Sequence, residues 1–208
     1  MCFFTQQNAS IKQVASRFHA FVDDEDKYLV SDFINGFTYP NLPVIIDTNP
    51  GIIATNFSWG IVPNWSKNIE IRKNTLNARI ETIHEKPSFK NLTQNRCLII
   101  ATAYYEWHWL DEKGKLKDKY QINSQEEEVF SFAGLYYGGI NPETGEILNT
   151  YTMLTTEANK VMRYVHNHKK RMPIMLKKID ESAWLDNSNK ISEFAYPYEG
   201  NLVAFKTI

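Results

Sequence analysis

The stretch from Arg96 to Thr156 constrains the fold of this 208-residue chain more than any other. RCLIIATAYYEWHWL, KYQINS, VFSFAGLYYGG and ILNTYTMLTT are dense in β-branched and aromatic residues, which suit a pleated, half-buried surface. DEKGKLKDK and NPETGE lie between them and carry the Gly, Pro, Asp and Asn of reversing turns. Strand–turn–strand repetition of this kind predicts antiparallel hairpins, which leave helices to the periphery.

The remaining segments fit that plan. ASIKQVASRFHAFV (residues 9–22) places Ile11, Val14, Phe18 and Phe21 at helical spacing and predicts an amphipathic first helix carrying His19. PNLP and TNPG bracket a short strand, VIID, and ATNFSWGIVP reads as another strand ending at Pro63. A helix is expected through EANKVMRYVH, capped by Thr155 or Thr156 and stopped by Pro173, with IMLKK extended after it. No linker or shift in composition divides the chain. The expectation is one domain over residues 1–208, of α+β class, with a curved antiparallel sheet or β-barrel-like core and a few peripheral helices.

Composition bounds the setting. Two cysteines supply no disulfide framework, no apolar run is long enough to span a bilayer, and the start lacks the regions of a secretory signal. A reducing cytoplasm is the expected compartment, and monomer the default state. The net charge of −1 hides an uneven distribution. Seven basic residues and no carboxylate lie between Lys160 and Lys178, and seven basic against three acidic between Trp65 and Arg96. If these stretches meet they form one basic face; otherwise they are separately solvated surfaces.

Five stretches bring chemistry into this frame. In MCFFTQQ, removal of the initiator methionine leaves Cys2 with an α-amine and a thiol on adjacent carbons. Both groups titrate near pH 8 to 8.5, so roughly a tenth of each or less is in its reactive form at neutral pH. Such an aminothiol suits aldehyde capture: the amine forms a Schiff base and the thiol closes a thiazolidine. The plain alternative is an incidental cysteine on a frayed end. In TLNARIET, Asn77, Arg79 and Glu81 alternate, so a strand would put them on one face able to hold a phosphate or carboxylate, or make a polar edge. In AYYEWHW, Glu106 among aromatic residues is a general acid in an apolar pocket or half of a structural salt bridge, with His108 on the same face. In VHNHKKRMP, His166 and His168 precede a basic run suited to acid/base work or phosphate contact. In SWGIVPNW, Trp59 and Trp65 are base-stacking platforms or core. The histidines and cysteines are too scattered to compose a metal site, and no cofactor is expected.

MC, WGIVPNW, LNARIETIHEKPSFK, RCLIIATAYYEW, FAGLYY, TMLTTEAN and HKKRMPIML occur in that order over nearly the whole chain. Together they resemble the SOS response-associated peptidase (SRAP) family. The resemblance implies binding of single-stranded DNA at abasic sites and a covalent thiazolidine crosslink through the mature Cys2. It also implies autocatalytic removal of Met1, and a nucleoid association when bound to DNA.

Carried over residue by residue, the resemblance makes Cys2 the crosslinking residue and Asn77 the group that orients the reacting centre. Arg79 takes a flanking phosphate and Glu106 shuttles protons. His166, preceded by Val165, fits the family histidine better than His168 and is the acid/base for opening the sugar or reversing the bond. Trp65, Lys86, Lys90 and Arg171 line the DNA path, and Pro40 lies on a wedging loop. Phe3 and Phe4 depart from the glycine and arginine of many relatives, which removes one cation from the DNA surface.

Three other functions compete. A class II glutamine amidotransferase also begins with a processed cysteine, but MCFFTQQ lacks the glycine-rich motifs of that class. A non-covalent single-strand binder would use only the aromatic and basic surface. A cysteine protease would pair Cys2 with His166, yet no oxyanion loop is legible.

Overall fold

The structure is a computed structural model and describes residues 2–48 and 51–207. Its first seven strands are β1 (Phe4–Gln7), β2 (Ala20–Val22), β3 (Ser31–Asn35), β4 (Val44–Thr48), β5 (Gly51–Ala54), β6 (Phe57–Trp59) and β7 (Asn77–Arg79). The second seven are β8 (Arg96–Ala101), β9 (Ala103–Trp109), β10 (Lys117–Ser124), β11 (Phe130–Ile140), β12 (Ile147–Glu157), β13 (Arg171–Pro173) and β14 (Leu202–Thr207). Three α-helices accompany them: α1 (Ile11–Phe18), α2 (Lys160–Val165) and α3 (Glu181–Leu185).

The expected α+β class holds, with the strands of the described residues in two sheets and no closed barrel among them. One is five-stranded in the order β14-β10-β9-β1-β3, and its pairs are all antiparallel. The other runs β13-β12-β11-β8-β4-β5-β2, with β6 and β7 each laid parallel against β12. The long hairpin of β11 and β12 follows the NPETGE turn as the sequence predicts.

Alternation explains which residues meet inside. On β9, Tyr104 and Glu106 face the core, whereas Tyr105 and Trp107 face outward under Phe4 and Phe33. Every residue of β8 is buried. Trp184 of α3 packs over that strand and donates its indole N–H to the Cys97 carbonyl at 2.9 Å.

Several boundaries differ from the sequence expectation. The first helix starts as predicted, on a Ser10–Gln13 capping box, but ends at Phe18, because His19 takes the left-handed conformation (φ 52°) and caps it. Phe21 therefore leaves the helix for β2 and is exposed. Gly51 on the neighbouring strand admits Ala20; a side-chain carbon there would stand 2.8 Å from the Ala20 Cβ. ATNFSWGIVP is broken after Ala54, where Asp23 captures both the Thr55 N–H and its hydroxyl, at 3.0 and 2.8 Å. Asn159, not Thr155 or Thr156, caps α2, its side-chain oxygen accepting from Met162 N–H at 2.9 Å. Both threonines are buried inside β12, paired with β13. IMLKK makes one isolated bridge, Met175 to Phe132, in place of a strand. The expected TNPG turn includes residues 49 and 50, outside the described residues.

Among the described residues no helix is long and apolar enough to cross a membrane.

Candidate active site around Cys2

Cys2 lies two residues before the start of β1, with none of its surface exposed. Its thiol faces the Phe4 carbonyl at 3.4 Å. Burial, reinforced by the nearby Glu106 carboxylate, pushes the thiol well above its ordinary pKa. A thiol so placed stays protonated, so it reacts by transferring its proton to a neighbour.

Asn77 reaches Cys2 from across the chain. Its side-chain N–H donates to the Cys2 carbonyl at 2.8 Å. Two features hold Asn77 there: β7 pairs with β12 in the register Met153 opposite Asn77, and the Trp59 indole N–H donates to the Leu76 carbonyl at 2.7 Å. The side-chain oxygen of Asn77 is buried and makes no hydrogen bond. An acceptor left open beside a nucleophile is a place for a donor on a bound substrate.

Glu106 enters from β9, one residue beyond the Tyr105 that pairs with Phe4 of β1. Burial raises its carboxyl to about 7, so near neutrality it both gives and takes a proton. Burial lowers His166, at the end of α2, to about 4. The His166 Nδ1 lies 2.8 Å from the Arg171 carbonyl, which can only accept, so Nδ1 carries the hydrogen. Nε2 is then the unprotonated nitrogen, and it stands 3.9 Å from the Glu106 carboxylate. That contact is not a strong ion pair, because burial drives both partners toward their neutral forms. Tyr104, two residues before Glu106, also faces the core. Its hydroxyl is buried and makes no hydrogen bond. The alternation that singles out Glu106 also points to Tyr104, which sequence reasoning passed over.

The remaining candidates divide. Arg79 ends β7 and is exposed, but the chain turns into a 3-10 helix after it, so Glu81 does not continue a strand face. Trp65 is 54% exposed and lines a cleft of about 210 Å³ with Pro63, Pro87 and Ser88. Lys86 and Lys90 flank that cleft's wall in sequence and are exposed. Pro40 is half-buried, and its carbonyl accepts from the Trp59 N–H at 3.0 Å.

Arg171 is buried. Its guanidinium grips Glu81 with two bonds of 2.6 and 2.9 Å and the Thr155 carbonyl with a third of 2.7 Å. The same residue supplies the carbonyl that orients His166. His168 stacks on Trp109 at 3.6 Å, and His108 lies against the Tyr164 carbonyl at 2.7 Å. The basic stretches therefore overstate the available charge: Arg72, Arg96 and Arg171 are all buried. Among the described residues no group of three or more His, Cys, Asp or Glu is arranged to hold a metal ion.

Comparison with known proteins decides the family. The family profile described as SOS response associated peptidase (SRAP) matches residues 1–207. The chain belongs to this family. A SRAP relative, the abasic site processing protein YoqW of Bacillus subtilis (strain 168), is 36% identical over 166 residues, covering 77% of this chain and 71% of YoqW. The abasic site processing protein HMCES of Gallus gallus is 31% identical over 159 residues, covering 64% of this chain and 45% of that longer protein. A crystal structure of a protein from Bacteroides thetaiotaomicron matches 99% of the chain and 91% of its own, with a TM-score of 0.89 and 32% identity. The SRAP motifs thus lie on a shared fold, with Cys2, Asn77, Glu106 and His166 gathered at one place in it.

Proposed function

We propose that this protein captures abasic sites in single-stranded DNA, forming a covalent crosslink through Cys2. The observation that carries the reading is the convergence on Cys2. Asn77 holds its carbonyl, Glu106 is poised near 7, and a neutral His166 presents Nε2 toward Glu106. The abasic-site function named for the relatives supports the same reading.

Removal of Met1, which lies outside the described residues, is a hydrolysis: water is consumed and free methionine released. It leaves Cys2 with a free amine. His166 Nε2 takes the hydroxyl proton of the closed sugar and the ring oxygen is protonated in return, which exposes the aldehyde. The Cys2 amine adds to the aldehyde carbon to give a carbinolamine. Glu106 donates a proton to the departing hydroxyl, water leaves, and a C=N bond forms. The thiol then adds to this protonated C=N bond: sulfur bonds to carbon, nitrogen keeps the hydrogen it already carries, and the thiol proton returns to the Glu106 carboxylate, restoring its acid form. Aldehyde and aminothiol become thiazolidine and one water. Arg79, Lys86, Lys90, Trp65 and Pro40 supply the DNA path, with Arg171 behind it as a support. No cofactor takes part, and a monomer suffices.

The test is denaturing electrophoresis with intact mass after mixing the purified protein with single-stranded DNA that does or does not contain an abasic site. A heat-stable adduct seen only with the abasic strand, and lost in Cys2→Ala, is expected. Protein lacking Met1 that forms no adduct would sink the reading. Ammonia release from glutamine would then favour the amidotransferase, and DNA binding indifferent to Cys2→Ala the non-covalent binder.

A further inference from the structure

Arg72 holds a charge that the protein does not balance. It is 7% exposed, yet no described carboxylate lies within ion-pairing distance. Other buried or nearly buried arginines are compensated: Arg17 pairs with Glu127 and Glu181, Arg171 with Glu81, and Arg96 donates to four backbone carbonyls. Arg72 is anchored at one corner only. Its Nη2 donates to the Ser58 hydroxyl at 2.7 Å and the Trp59 carbonyl at 3.1 Å. Nε is buried with no hydrogen bond, and the side-chain hydrogen bonds of Arg72 among the described residues both come from Nη2, leaving Nη1 to solvent.

The surroundings look built to keep it so. Gly60 (φ +103°) backs onto Arg72; a side-chain carbon there would stand 3.0 Å from the Arg72 Cβ. The Tyr39 ring covers the guanidinium at 4.2 Å, and Tyr39 itself holds a left-handed backbone (φ 54°). Such a conformation in a non-glycine residue is strained, and strain of this sort gathers at ligand sites. An uncompensated buried guanidinium is costly, and an anionic ligand removes the cost.

Its place in the fold says which anion. Trp59, whose carbonyl anchors Arg72, donates its indole N–H to Leu76, and the next residue, Asn77, holds Cys2. On the other side Tyr39 follows the Gly36–Thr38 turn, whose Gly36 N–H donates to the Phe3 carbonyl at 2.8 Å. Arg72 is thus tied by a hydrogen bond to Trp59, on the side that leads to Asn77, and by its contact with the Tyr39 ring to the turn bonded to Phe3, the residue after Cys2.

We propose that Arg72, with Tyr39 as its cover, is a phosphate subsite that takes one phosphodiester of the DNA strand flanking the nucleotide at Cys2. The proposal rests on DNA being the ligand of that site. A phosphate oxygen meets Nη1, and displacement of the Tyr39 ring opens Nε.

Single-stranded DNA with and without an abasic site, carrying one neutral methylphosphonate at successive positions, tests it against the wild type, Arg72→Gln and Arg72→Lys. Non-covalent affinity is expected to fall on the order of tenfold in Arg72→Gln, with the salt dependence flattened by about 0.7 of an ion. One flanking methylphosphonate should weaken the wild type and leave Arg72→Gln unaffected, while Arg72→Lys keeps part of the salt slope. Methylphosphonate effects that add to Arg72→Gln at every position would overturn the subsite. Unfolding of both variants would do so too, by making Arg72 a structural pillar. Inorganic phosphate competing as well as the oligonucleotide would assign the site to free phosphate and also overturn it. Crosslinking by the wild type is read separately, so its absence would count against Cys2 chemistry and leave a phosphate coupling at Arg72 visible.

Discussion

The side-chain amide of Asn77 donates to the backbone carbonyl of Cys2 at 2.8 Å, joining residues 75 apart in the chain. The first residues of a chain are otherwise among those most prone to fray. Here one amide, itself clamped between β12 and the Trp59 indole, holds that end beside its acid.

Asn77→Asp should therefore slow adduct formation by about a hundredfold, because a carboxylate cannot donate to the carbonyl and misplacement alone can cost that much. Asn77→Ala should behave similarly with a smaller loss of stability. Single-turnover adduct formation, followed by gel, measures both. Wild-type rates in Asn77→Asp would remove the positioning role.

Glu106 and His166 give folding stability opposite dependences on pH. Glu106 has its folded pKa raised from 4.5 to about 7, so its contribution is full below pH 4.5 and is lost as pH rises through 7. His166 has its folded pKa lowered from 6.5 to about 4, so its contribution is full above pH 6.5 and is lost as pH falls through 4. Between about 4.5 and 6.5 the two slopes largely cancel. Urea unfolding across this range should be nearly flat for these groups in the wild type. Glu106→Gln should gain stability as pH rises through the window, and His166→Gln should lose it. Parallel pH profiles for all three proteins would refute the assignment. Adduct formation should slow above pH 7 as Glu106 loses the proton it donates.

Arg171 is a stability residue before it is anything else. Arg171→Ala leaves Glu81 without its partner and the Thr155 carbonyl without its donor, and is expected to cost about 3 kcal/mol in urea unfolding. The variant keeps the backbone carbonyl that orients His166, so the folded fraction should still crosslink. A variant as stable as the wild type but unable to bind DNA would return Arg171 to the DNA path.

Cys97 separates buried thiol from reactive thiol. It lies fully buried in β8, burial alone raises its pKa, and no carboxylate among the described residues contributes to that shift. Cys97→Ala should form adduct at the wild-type rate and lose about 1 kcal/mol of stability in urea. Cys2→Ser should retain an amine but yield no thiazolidine, which intact mass after borohydride-free denaturation would show. Adduct loss in folded Cys97→Ala would contradict the assignment.

Sequence reading succeeded where the signal is local. The hairpins from Arg96 to Glu157 announce themselves by alternation and turn residues, and α1 by the helical spacing of Ile11, Val14 and Phe18. It overran at Phe21 because helical spacing continues past His19, whereas the left-handed turn at that residue is a backbone event that spacing does not report. It misplaced the cap of α2 because Thr155 and Thr156 suit either role, and pairing with β13 decides between them. Cys2 and the three residues around it, Asn77, Glu106 and His166, stood out through the SRAP motifs more than through any one spacing. Arg72 escaped notice because a lone arginine in a basic stretch looks like any other.

From the sequence alone came the class of fold, the hairpin order and the family, because periodicity, turn chemistry and ordered motifs are properties of neighbouring residues. Only the tertiary structure decided which charges are spent and which remain. Glu81 takes Arg171 across 90 residues, whereas Arg72 meets no described carboxylate. Periodicity says which face of an element is covered but not what covers it, and in a buried site the covering group sets the charge, the pKa and the chemistry.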